Sequence, residues 1–285
     1  LRIHHLLPAD DLAEADARGI QSGYGSERLW FGKVKLFADG SLGAGTALLH
    51  APYCDDPRQT GIAVLPLEVL TDKVHQAYRR GWDVAIHAIG DKAVSHALAA
   101  IAEGRRQHPD DKRDRVEHVQ LFRPGDLALF RKMRVVASVQ PVFTSTDWQV
   151  AEKRWGAARC RYAYAWKSLL EAGIELQFGS DAPVEPINPV WGLQAAVSRH
   201  TPAGRPPGGW YPEEKISLEE AIRGFTALPA WTSRREADLG SIRPGNLADL
   251  TVFGQNLFEL PVDDWSDITI EATVVDGEIV YSREG

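Results

Sequence analysis

Apolar residues along this chain gather in short continuous runs. Each run is followed by a stretch where they recur every three or four positions. The first pattern predicts buried strands and the second amphipathic helices. RIHHLL at 2–7 reads as a strand, and PADDLAEADARG at 8–19 as a helix with Leu12, Ala13 and Ala17 spaced along it and Gly19 as its stop. KVKLFA at 33–38 is a second strand, and a turn-rich loop follows to about residue 65. LEVLTDKVHQAYRRG at 67–81 carries a helical stripe of Leu67, Leu70, Val74 and Tyr78. A third strand at 83–88 leads to a helix at 91–104, and a fourth at 115–119 to a helix at 124–133 with Pro124 in its first turn. The fifth and sixth strands fall at 135–140 and 174–179, with a helix at 163–173 between them. Helices at 188–200 and 217–231 come next, the latter opened by a capping box of Ser217 and Glu220.

These strands are mostly apolar throughout and do not alternate strictly. Six β–α units of that kind in succession imply a parallel sheet covered by helices. From residue 240 the texture changes to β-branched segments with an Asp-Gly turn at 276–277, which is hairpin chemistry. Two parts are therefore expected, an α/β part over 1–239 and a small β part over 240–285.

Of the 285 residues, 44% are hydrophobic and 25% charged, enough apolar content for a core without staples. The net charge of −7 argues against nucleic acid as a partner, because phosphate binding calls for a basic face. No apolar stretch approaches the ~20 residues that a membrane span requires. The two cysteines, Cys54 and Cys160, form neither a disulfide framework nor a metal pair, which favours a reducing, cytoplasmic compartment. The mixed charge run at 105–115 is expected to be a solvated loop. Met133 is the sole methionine and the chain opens inside a strand, so the sequence reads as starting downstream of its gene's start.

The chemistry collects where strands end. Lys35 interrupts the second strand, although a buried ammonium is costly unless paired, neutralised or chemically changed. Asp39 follows that strand, His87 ends the third, His118 the fourth, and Gln140 and Asp181 come after the fifth and sixth. In a parallel α/β sheet these ends open on one face, where sites form. A lone strand histidine is usually a hydrogen-bonded core residue. Two on consecutive strands, with an aspartate after a Gly-Ser turn, shift the balance towards a divalent ion such as Zn²⁺. Lys33 shares a face with Lys35 by alternation but lies farther from the strand end. His4 and His5 read as structural; His50, His75, His96, His108 and His200 read as solvated. Tyr53, Trp148 and the loop 203–212 either line a substrate pocket or form surface turns.

Taken together, VKLFADGSLGAGTALL, AIHAIGDKAV, RVEHVQL, FGSDAPVEPINP and GSIRPGNLADLTVF resemble the YtcJ-like branch of the amidohydrolase superfamily. The resemblance spans nearly the whole chain, in the family's order. It implies a (β/α)8 TIM-type barrel, here incomplete on its N-terminal side, with part of a small β-sandwich domain. It also implies a metal-dependent hydrolase of non-peptide C–N bonds, of amide or N-substituted formamide type, acting on a small-molecule substrate with one or two divalent ions. By resemblance Lys35 is a metal-bridging, carboxylated lysine, His87 and His118 are metal ligands, and Asp181 binds metal and takes the proton from the attacking water. A carbamate on Lys35 would turn the cation into an anion with two oxygen ligands. The family's first His-x-His element has no counterpart here, and the first strand resembles the family's third. This chain alone is thus expected to be inactive or poor in metal. The competing readings are a phosphoesterase or lactonase on the same scaffold, or a non-catalytic protein that has lost the first ligands. A homo-oligomer is compatible with all of them.

Overall fold

The computed structural model describes residues 1–284. Six strands, β1 (Ile3–Pro8), β2 (Leu29–Phe37), β3 (Asp83–Ala88), β4 (Arg115–His118), β5 (Val136–Val139) and β6 (Leu176–Phe178), form one sheet in sequential order. β1 to β5 pair in parallel. The helices are α1 (Leu12–Ala17), α2 (Leu67–Arg79), α3 (Asp91–Gln107), α4 (Leu127–Met133), α5 (Phe143–Thr146), α6 (Trp148–Trp155), α7 (Ala157–Cys160), α8 (Trp166–Glu171), α9 (Pro189–Ser198), α10 (Leu218–Phe225) and α11 (Ala227–Thr232). A second sheet, β7 (Leu250–Phe253), β8 (Ile270–Val275) and β9 (Glu278–Ser282), is antiparallel. Among the described residues no helix is long and apolar enough to cross a membrane.

Contacts divide the chain into two units. One comprises Leu1–Val139 with Gln149–Leu176; the other comprises Gln140–Trp148 and the chain from Gln177 onward. In the first unit, α2 and α3 pack on each other through the apolar stripes that their spacing dictates. Leu70, Val74, Ala77 and Tyr78 of α2 are buried, as are Ala93, Val94, Ala97, Leu98 and Ile101 of α3. The strand register sorts the sheet into two faces. Lys33, Lys35 and Phe37 of β2 stand opposite Asp83, Ala85 and His87 of β3. Ala85 and His87 in turn face Arg115 and Glu117 of β4, and Glu117 faces Ser138 of β5. One face therefore carries the charges, while Val34, Leu36, Val84, Ile86 and Val116 alternate onto the other and are fully buried.

The charge run at 105–115 is a correction to the expected solvated loop. Asp114 is wholly buried and accepts hydrogen bonds from Arg105 Nε (2.8 Å), Tyr78 OH (2.5 Å) and the Val84 amide (2.8 Å). Opposite charges in the run neutralise each other and tie α3 to the start of β3, so only its middle is exposed.

In the second unit, the helix expected over 217–231 is two helices. The backbone breaks at Thr226 (φ −123°, ψ −75°), because the Pro229 ring would collide with the Phe225 carbonyl of a continuous helix. The Ser217–Glu220 capping box forms: the Glu220 amide donates to Ser217 Oγ and the Ser217 amide to Glu220 Oε2. Asp276 (φ 59°) and Gly277 (φ 81°) supply the two left-handed residues of the hairpin between β8 and β9. His200 also departs from expectation. It is buried, with Nδ1 donating to Thr201 O (2.7 Å) and Nε2 facing Asp263 (3.1 Å).

Candidate functional site

On the charged face of the first unit the ionisable residues stack in rungs set by the strand register. Lys33 is fully buried; its amine donates to Arg113 O (2.6 Å) and lies 3.5 Å from Asp83 Oδ2. One rung on, the Lys35 amine sits over the Phe37 ring, 4.8 Å from its centroid, a cation–π contact. Arg115 Nε donates to Glu117 Oε1 at 2.6 Å. Burial by itself would push the Glu117 carboxyl up. The Arg115 guanidinium, the Lys35 ammonium and a hydrogen bond from Ser138 outweigh that and hold it at about 2. His4 projects against Gly32 and stacks on Trp30, 5.5 Å between centroids. Burial, then the charges of Lys33 and Arg115, depress its imidazole to about 3. It is a neutral ring in the packing, in keeping with its structural reading.

His87 and His118 come together at the strand ends. Their ring centroids are 4.6 Å apart in an edge-to-face arrangement, and Phe37 leans on His87 at 5.2 Å. Strand alternation alone would put His118 on the opposite face from Glu117. The chain instead turns at His118 (φ 75°) and Val119 (φ 43°), where the Val119 amide bonds back to Glu117 O at 3.1 Å. A β-branched residue at positive φ is a strained choice costing roughly 1–3 kcal/mol, and here it accompanies the turn that brings His118 to His87.

His87 Nε2 lies 2.8 Å from Gly40 O. A carbonyl oxygen only accepts, so Nε2 carries a proton, and in the neutral ring Nδ1 then carries the lone pair. Asp39, which follows β2, is fully buried. Its Oδ1 accepts from the Ile89 amide (3.0 Å) and stands 3.4 Å from His87 Nε2, while Oδ2 accepts from the Leu48 (2.8 Å) and Gly90 (2.9 Å) amides. Gly90 permits this close approach, since a Cβ there would fall 2.0 Å from Leu48 O.

Asp181 belongs to the second unit. It is exposed, follows β6 in a left-handed conformation (φ 61°), and its carbonyl accepts from the Val184 amide at 2.9 Å. A cavity of about 200 Å³ opens beside Gly179 and Ser180, walled by Val142, Ile187 and Phe225. Tyr53 does not stand at the surface. It is buried, its hydroxyl donates to Ala47 O at 2.7 Å, and burial pushes its phenol well up. Among the described residues no three His, Cys, Asp or Glu side chains are grouped to hold an ion.

The donors at the strand ends of the first unit fit a divalent ion in chemistry. Two imidazoles stand edge to face, and one has its outer N–H committed to a carbonyl, an arrangement compatible with a metal-binding histidine. Sequence reasoning missed Glu117 and Arg115. Their signal was the i, i+2 spacing in RVEH, which puts both on the face of the Lys33–Lys35 pair.

A family model described as an amidohydrolase family matches residues 1–281. The chain is 36% identical over 255 residues to the putative amidohydrolase YtcJ of Bacillus subtilis, covering 89% of this chain and 47% of that protein. It is 28% identical over 216 residues to the N-substituted formamide deformylase of Arthrobacter pascens, covering 75% and 39%. An uncharacterised metal-dependent hydrolase from Pyrococcus furiosus superposes with a TM-score of 0.74 at 35% identity, covering 86% of this chain and 49% of that one. The chain thus spans between 39% and 49% of the length of these relatives.

Proposed function

The chain belongs to the amidohydrolase family, and from that premise we propose that it serves metal-dependent hydrolysis of a non-peptide C–N bond, in an amide or N-substituted formamide. The observation carrying this reading is the His87–His118 pair, with His87 Nε2–H given to Gly40 O and Nδ1 left as a donor. The relative named for formamide deformylation supports the substrate class. We read the six strands with their helices as part of a (β/α)8 barrel over 1–239, and residues 240–285 as part of a small β-sandwich. The free thiols of Cys54 and Cys160 suit a reducing cytoplasm.

His87 and His118 would hold the ion, with Lys35 contributing as a carbamate once its ammonium has lost a proton and the free amine has added CO₂ with release of a second proton. When bound, a divalent ion of Zn²⁺ type lowers the pKa of water and polarises a carbonyl. Asp181 accepts the proton of the attacking water on its carboxylate and delivers it to the leaving nitrogen, so amide and water become acid and amine. Arg115 and Glu117 pair with each other on the same face of the sheet as Lys35.

The test is an assay of the complete gene product, supplied with Zn²⁺, on amides, N-substituted formamides, esters and phosphoesters. Amine release from a formamide or amide, abolished by Asp181→Asn with the fold intact, is the expected result. Turnover confined to esters or phosphoesters would replace the proposed bond with another.

A further inference from the structure

Asp39 has no part in the reaction proposed above, yet it is the most heavily engaged carboxylate near its ligands. Its side chain is 0% exposed, and a buried carboxylate survives only if its lone pairs are met. Three backbone amides meet them: Leu48 from the long loop after β2, and Ile89 and Gly90 from the exit of β3. The fourth neighbour is His87 Nε2, 3.4 Å from Oδ1. The next residue, Gly40, provides the carbonyl that receives the His87 proton at 2.8 Å. Gly40 is itself fixed: its amide donates to Thr46 O (3.3 Å), and a Cβ at this position would sit 2.1 Å from Thr46 Oγ1.

Resting on the reading of His87 as a metal ligand, we infer that Asp39 is the positioning residue of that imidazole. Its anion and the adjoining Gly40 carbonyl keep the proton on Nε2, so that Nδ1 is the nitrogen available to an ion. The physical reason is twofold. The carboxylate favours an N–H and repels a lone pair on the ring atom facing it. Its three amide bonds also clamp residues 39–40 against the end of β3, which fixes the carbonyl in space. Removal of such an outer partner typically costs about 10–100-fold in metal affinity.

The experiment is ¹H–¹⁵N NMR of the protein with ¹⁵N-labelled histidine, which separates a protonated from a lone-pair ring nitrogen, read first without metal and then in a Zn²⁺ titration. Three variants accompany the wild type: Asp39→Asn, Asp39→Ser and Tyr53→Phe. Asp39→Ser leaves room for water to meet the three amides, should the asparagine variant not fold. Tyr53→Phe loosens the same loop, by losing the bond to Ala47 O, without touching His87. The expected result is His87 protonated on Nε2 in the wild type and in Tyr53→Phe. A mixture of tautomers and a Zn²⁺ affinity reduced about 10–100-fold are expected in either Asp39 variant. A wild-type His87 protonated on Nδ1, or an Asp39 variant with the wild-type tautomer and affinity, overturns the inference. A His87 that changes tautomer in the variants yet ignores Zn²⁺ supports the Asp39 link and overturns the ligand role beneath it.

Discussion

At the scale of single residues, Glu117 shows how much depends on one buried charge. Arg115 lies 2.6 Å from it, and the Lys35 ammonium contributes to keeping its carboxyl low. Glu117→Gln deletes the anion and leaves two cations in a low-dielectric setting. The expected loss is about 3–5 kcal/mol of stability in urea denaturation, the usual cost of breaking a buried pair by removing one partner. Gly90 is the other sensitive point. A methyl group there meets the Leu48 carbonyl at 2.0 Å, so one backbone must move and the amides serving Asp39 move with it. Gly90→Ala should cost about 1–3 kcal/mol through overpacking, read from the shift in urea midpoint. An alanine variant as stable as the wild type would mean that the contact yields freely.

At the scale of elements, the apolar periodicity was enough to place most strands and helices. The third strand was expected at 83–88 and is Asp83–Ala88; the helix after it begins at Asp91 as its spacing implies. Local chemistry was equally legible where it is self-contained, as in the Ser217 box. Removing that cap with Ser217→Ala should cost about 1 kcal/mol, measurable as a lowered thermal midpoint. What pattern could not supply was anything decided by distant partners. The short helices α5 to α7 lie in a stretch with no clean stripe, and packing rather than propensity shapes them. Pro229 was visible, but the helical pattern around it hid the break at Thr226. The run at 105–115 looked solvated because charge is a local property, whereas Asp114 is paired within the run by Arg105 and is buried by partners outside it, the Tyr78 hydroxyl of α2 and the Val84 amide of β3. The candidate site divides in the same way. His87 and His118 could be picked out as strand-end histidines. Asp39's bonds to three amides could not, because they join segments up to 51 residues apart.

At the scale of the whole molecule, the buried ionisable groups set its response to acid. His4 is depressed from 6.5 to about 3 in the folded chain, so it stays neutral there while the unfolded chain takes up a proton. Its contribution is complete above pH 6.5 and is lost as pH falls towards 3, at about 1.4 kcal/mol per pH unit. Glu117, lowered from 4.5 to about 2, adds a loss in the same direction below pH 4.5. Stability should therefore decline from near-neutral pH downwards and steepen below 4.5. In urea titrations at stepped pH, His4→Gln should flatten the curve between pH 6.5 and 4.5 while leaving the steeper acid limb. An unchanged slope in that variant would remove His4 as the cause.

The central claim concerns the paired imidazoles, and counting metal tests it most directly. The complete gene product is dialysed against Zn²⁺ and its bound metal measured by inductively coupled plasma mass spectrometry, beside His87→Ala and His118→Ala variants shown by circular dichroism to be folded. The account predicts bound zinc in the wild type and a clear loss in each variant. Equal zinc in all three proteins, or none in any, would contradict it.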